Sequence, residues 1–225
     1  MDLTNQAVAN ARSAVELWSG LGFSGRKKIL SAWASHLTKN IEEVASLISE
    51  ETGKPISDSR LEATVAIGHL SWAAKNAEKV LATQTRPSGL LFSNIRSKVE
   101  RIPFGVVGVI GPWNYPMHTP MGSISYALAA GNCVVFKPSE YTPKIGKLLA
   151  ESFALVAPNS HIFQSLDGAA EIGVALTKSD VDKIAFTGST RTAKKVAASC
   201  AERLIPVVLE CGGKDPVIIA KDGDI

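Results

Sequence analysis

The 225 residues hold only three cysteines, no long apolar run and no marked excess of charge of either sign. Each shortage excludes something. Cys133, Cys200 and Cys211 make an odd count without metal-type spacing, which argues against a disulfide framework and for a reducing compartment. The longest apolar stretch, Phe104 to Ile110, contains glycines and is far too short to span a bilayer, so no membrane partner is expected. Lys and Arg number 24 against 21 Asp and Glu, and the two signs are interleaved along the chain. Nucleic acid needs clustered cations without matching acids, so no nucleic-acid partner is expected. The polar opening, Met1-Asp2-Leu3-Thr4-Asn5-Gln6, lacks the charged-then-apolar pattern of a secretory signal, and a cytoplasmic location is the expectation.

What is present suits a packed core. Hydrophobic residues make up 45% of the chain and charged ones 20%, and the length fits one large domain or two small ones. The first third reads as helix. Val8, Ala11, Val15 and Trp18 share one helical face, and Gly20 and Gly22 break the run. Ile29, Trp33 and Leu37 recur at helical spacing in a second helix, and Val44, Leu47 and Ile48 in a third that Gly53 ends. A long helix is expected over 57–81. These stripes read as core packing, and His36 and His69 within them as structural residues.

The character changes after Ala82. The span 83–94 is turn-rich, and 95–102 alternates roughly as a half-exposed strand. From Val106 short apolar runs alternate with helical segments. Strands are expected over 106–110, 133–136, 161–166, 184–186 and 207–209, with a further one over 217–220. Between them lie helices over 120–130, 144–155, 170–177 and 190–203, with Thr142 as N-cap and Pro143 at the first helical position. This order predicts an α/β fold, a mostly parallel sheet with helices on both faces. Ligands of such sheets bind beyond the carboxyl ends of the strands.

Four segments stand at those ends. In Ile110-Gly111-Pro112-Trp113-Asn114-Tyr115-Pro116, two prolines stiffen the backbone around Asn114, whose amide could donate to a developing oxyanion; an Asn in a tight turn is the alternative. In Phe136-Lys137-Pro138-Ser139-Glu140, Lys137 and Glu140 offer a donor and an acceptor to a ribose diol, or form an ordinary surface pair. In Phe186-Thr187-Gly188-Ser189-Thr190, a glycine and two hydroxyls between strand and helix make a turn that could hold a phosphate, or a plain N-cap. In Leu209-Glu210-Cys211-Gly212-Gly213, Glu210 is expected to face a cleft, where partial desolvation would raise its pKa and suit it to general-base work. Cys211 points to the opposite side of an extended strand and reads as a structural cysteine.

In order and spacing these four segments resemble the aldehyde dehydrogenase superfamily. Glu51-Thr52-Gly53-Lys54-Pro55 and Arg101-Ile102-Pro103-Phe104-Gly105-Val106-Val107-Gly108 are similar to the same family, so the likeness covers nearly the whole chain. It implies a Rossmann-like dinucleotide-binding region over 106–225, preceded by an N-terminal helical part over 1–94 and an oligomerisation strand over 95–105. It implies NAD as cofactor, with NADP not excluded, a small aldehyde substrate and a homo-oligomer. Asn114 becomes the oxyanion donor and Glu210 the general base. Ile110, Gly111, Pro112 and Trp113 line the cofactor groove, Lys137 and Glu140 hold the adenosine ribose with Ser139 between them in the cofactor site, and Ser189 meets the pyrophosphate. Gly168, Gly173, Phe186, Gly188, Thr192, Leu209 and Cys211 complete the implied cofactor site. No metal is implied.

The family reaction runs through a cysteine thiohemiacetal, hydride transfer and hydrolysis of a thioester. Its nucleophile lies a few tens of residues past the glutamate. Cys133 and Cys200 do not match that motif, so the chain is expected to stop short of its nucleophile and to be inactive alone. A non-catalytic dinucleotide-binding module and an inactive fragment are the other readings.

Overall fold

The computed structural model describes residues 3–223. Four helices come first: α1 (Leu3–Gly20), α2 (Gly22–Lys39), α3 (Ile41–Thr52) and α4 (Ile56–Leu81). The apolar stripes predicted for them are buried, with Val8, Ala11, Trp18, Trp33, Leu37, Val44 and Ile48 all at most 2% exposed. Trp33 is the hub, its ring 5.1 Å from Phe153 and 5.7 Å from Phe163, so α2 is fastened to the sheet and to a helix behind it. Burying each such aromatic contributes roughly 1.5–3 kcal/mol over leaving it exposed. The indole N–H groups are not abandoned: Trp18 donates to Leu128 O and Trp33 to Ser152 Oγ, both at 2.9 Å. Trp72 departs from the core expectation and is 51% exposed. Gly53 ends α3 in the left-handed conformation, φ 74°, where its N–H caps Ser49 O.

A two-stranded antiparallel ribbon follows, β1 (Gln84–Arg86) with β2 (Ser97–Val99). The sequence reading placed only the second of these, and placed it longer. β1 is three polar residues among turn formers and carries no alternation to detect.

The main sheet has five parallel strands: β3 (Val106–Ile110), β4 (Cys133–Lys137), β5 (Phe163–Ser165), β6 (Lys183–Gly188) and β7 (Val207–Cys211), in the spatial order β5-β4-β3-β6-β7. Helices α5 (His118–Ala130), α6 (Pro143–Ala154), α7 (Ala170–Lys178) and α8 (Thr190–Ala201) connect them. The first two crossovers step one way from β3 and the next two return to its other side. Right-handed crossovers then put α5 and α6 on one face and α7 and α8 on the other. Helices α2, α3 and α4 pack behind α5 and α6. β3 and β4 are buried along their whole length, as fits strands covered on both faces. The fold is a Rossmann-like α/β sheet, with one continuous apolar cluster joining the N-terminal helices to it.

Two expectations are corrected. Val217 to Ala220 forms no strand; Val217 and Ile218 are 85% and 89% exposed, and among the described residues no strand pairs with that run. Apolar composition alone cannot make a strand without a partner edge. Thr142 precedes Pro143 as expected but makes no side-chain cap. Glu51 at the end of α3 has taken its place, its carboxylate accepting from Lys144 N at 2.8 Å and Ile145 N at 3.0 Å.

Candidate functional site

All five strands of the sheet are parallel, so their carboxyl ends share one edge. The strand order reverses between β3 and β6, the place where sheets of this kind bind their ligands. There Ile110 ends β3, with Lys137 as its register partner on β4 and Phe186 on β6. On β7, Leu209 aligns with Phe186, Glu210 with Thr187 and Cys211 with Gly188. All four segments singled out in the sequence thus cross one row of the sheet, at Lys137, Ile110, Phe186 and Leu209.

Past Ile110 the chain leaves β3 through buried Gly111, whose N–H donates to Lys137 O at 3.0 Å, and half-buried Pro112. Trp113, Asn114 and Tyr115 are exposed, and α5 begins three residues later. The Asn114 loop is gripped from behind. Lys54, between α3 and α4, donates from Nζ to Asn114 O at 2.7 Å and lies 4.1 Å from the centre of the Tyr115 ring. Lys54 is itself held by Glu62 Oε2 at 2.6 Å, a carboxylate with no exposed surface. The other oxygen of Glu62 accepts from Met117 N at 2.9 Å and His118 N at 3.1 Å, at the positive end of α5. Sequence reading gave neither Lys54 nor Glu62 a role. Lys54 lay in a recognisable segment, whereas a carboxylate on a long helix looks the same whether it faces water or a core.

Lys137 ends β4 with its side chain only 5% exposed, and its Nζ donates to Glu140 Oε2 at 3.1 Å. A backbone hydrogen bond first, and Lys137 after it, hold the Glu140 carboxyl below the ordinary carboxylate range. Ser139 is buried inside the turn, its Oγ accepting from Tyr141 N at 3.3 Å. Ser189 is the N-cap of α8: its Oγ accepts from Thr192 N at 3.2 Å and donates to Thr192 Oγ1 at 3.0 Å. The local capping alternative is therefore real, and the first-turn N–H groups of α8 still point out of the helix end. Gly188 allows a close approach, since a Cβ there would stand 2.6 Å from Phe186 Cζ. Gly168 follows β5, and Gly173 lies in α7, the helix that packs against β3.

Two burial expectations fail at β7. Glu210 is exposed, so the cleft desolvation expected of it is absent among the described residues. β7 is the outer strand of the sheet, and Val208 and Glu210 on one side of it are exposed. Cys211 is exposed as well, against the reading of a structural cysteine: it is the last residue of β7, past the half-buried Val207 and Leu209 of its own side. Cys133 and Cys200 are buried; burial pushes the Cys133 thiol up to about 12 and raises that of Cys200. Neither can supply a thiolate near neutral pH.

Comparison with known proteins bears on this edge directly. The model of the aldehyde dehydrogenase family matches residues 2–225. The chain belongs to the aldehyde dehydrogenase family. It is 36% identical over 223 residues to an N-succinylglutamate 5-semialdehyde dehydrogenase of Ectopseudomonas mendocina (strain ymp), covering 98% of this chain and 45% of that one. It is 34% identical over 225 residues to a 4,4'-diapolycopene aldehyde oxidase of Methylomonas sp, covering 99% of this chain and 42% of that one. Among solved structures, an indole-3-acetaldehyde dehydrogenase in complex with NAD+ superposes with a TM-score of 0.88 at 34% identity, over 93% of this chain and 43% of that one. This aldehyde dehydrogenase chain thus spans less than half the length of these relatives. Among its described residues no helix is long and apolar enough to cross a membrane.

Proposed function

We propose that the chain carries the NAD-binding edge and two catalytic side chains of an enzyme that oxidises an aldehyde to a carboxylic acid. The observation that carries this reading is the alignment of Lys137, Ile110, Phe186 and the Thr187–Glu210 pair along the carboxyl edge, at the reversal of strand order. The residues fit a dinucleotide. A buried amine beside an ionised carboxylate offers a ribose diol both a donor and an acceptor, and Gly188 leaves backbone open for phosphate at the start of α8. When bound, NAD+ supplies the hydride acceptor. Glu140 is charged and partly exposed, so it repels a 2′-phosphate and favours NAD over NADP.

Asn114 donates its side-chain amide to the aldehyde oxygen as negative charge develops there. Glu210 takes the proton of the water that releases the acid. Trp113 and Pro112 wall the groove. The reaction also needs a thiolate, which Cys133 and Cys200 cannot provide and Cys211 is turned away from providing, so these 225 residues alone do not turn over. In this reading 95–105 belongs to a sheet shared between subunits of a homo-oligomer. The test is steady-state NADH formation by the protein expressed from its full reading frame. Asn114→Ala should lower kcat by about a hundredfold or more, and Glu210→Gln should lower it too. Full activity in both variants overturns the assignment.

A further inference from the structure

We infer that Lys54 and Glu62 are positioning residues for Asn114. The inference rests on the role proposed for Asn114. Nothing in the sheet fixes that residue: β3 ends at Ile110, α5 begins at His118, and Trp113, Asn114 and Tyr115 between them are exposed. An oxyanion donor on a free loop would waste its hydrogen bond, because a misplacement of about 1 Å costs on the order of a hundredfold in rate. The grip comes from outside the sheet. The Glu62 side chain on α4 is wholly buried and uses one oxygen on the end of this loop, at Met117 N and His118 N, and the other on Lys54 Nζ. Lys54 carries the fixed point forward to Asn114 O and to the Tyr115 ring. The carbonyl of Asn114 and the two N–H groups that follow Pro116 are thereby pinned to one carboxylate. That leaves the Asn114 side chain as the part of the residue free to meet a substrate.

A buried carboxylate stripped of its cation is costly, so removing Lys54 alone risks the fold. The double variant Lys54→Met/Glu62→Gln avoids this, since the new amide oxygen still accepts from Met117 N and His118 N. Lys54→Arg keeps a cation on Glu62 and is the second variant. Both are measured in the protein expressed from its full reading frame, alone and combined with Asn114→Ala. The double variant should lose kcat by about tenfold or more with KM for NAD+ unchanged, and Lys54→Arg should lose less. In the Asn114→Ala background neither change should cost anything further. A cost that persists undiminished without the Asn114 amide, or no loss of kcat in either variant, overturns the inference. If instead Asn114→Ala alone leaves kcat intact, it is the role of Asn114 that fails. An independent readout needs no turnover: the side-chain amide resonances of Asn114 should move in the double variant, and unmoved resonances contradict the grip.

Discussion

Lys137 Nζ, almost wholly buried at the end of β4, donates at 3.1 Å to Glu140 Oε2, nearly half exposed, three residues further along the chain. The buried partner is fixed and the exposed one is available, which is the arrangement a ribose diol requires. Glu140→Gln keeps an acceptor but removes the charge. It should weaken NAD+ binding several-fold and weaken NADP+ binding less, or not at all, so that the preference between them narrows. Fluorescence titration with both cofactors checks this.

The pH dependence of that carboxylate has a definite sign. Its pKa in the fold lies below the ordinary value of 4.5. A depressed carboxylate contributes stability above its unfolded pKa and loses it as pH falls through the folded value. The Glu140 contribution should therefore be intact at pH 5 and above and fade only below 4.5. Comparing thermal unfolding of the natural chain and Glu140→Gln from pH 3.5 to 7 should show the two curves converging at the acid end.

Gly188 stands where a methyl group would press on Phe186. Gly188→Ala should reduce NAD+ affinity by about tenfold or more while lowering Tm by only a few degrees, since the clash falls at the open edge of the sheet and not in its core. Equal losses of stability and affinity would assign the glycine to packing alone.

Most of this architecture was legible in the sequence because its signals are periodic. The stripes of α1 to α4 and the apolar runs of β3, β4 and β6 follow from spacing, and once the strands are parallel the edge that collects Asn114, Lys137, Ser189 and Glu210 follows from topology. What escaped had no periodic signal. Gln84–Arg86 is a strand only because 97–99 pairs with it. Glu51 caps α6 from a distance of more than ninety residues in sequence, which no local rule for Thr142 could anticipate. Glu62 looked like any helix-surface acid. Burial at β7 was misjudged because a strand's covering depends on what packs over it, and Val208 and Glu210 on one side of this outer strand are exposed.

The three thiols should separate cleanly. Cys211 is exposed, while Cys133 and Cys200 are buried with raised pKa values. At pH 8 a thiol reagent should label one cysteine quickly in the folded chain and all three after denaturation. The same chain given propanal and NAD+ should form no NADH.

The central claim is that the carboxyl edge of this sheet binds NAD+ through Lys137 and its neighbours. Isothermal titration calorimetry of the 225-residue chain with NAD+, beside its Lys137→Ala variant, tests it most directly. Binding by the natural sequence, with affinity reduced at least about tenfold in the variant as expected for loss of a charged hydrogen bond, is the predicted result. The same affinity in both, or none in the natural sequence, would contradict it.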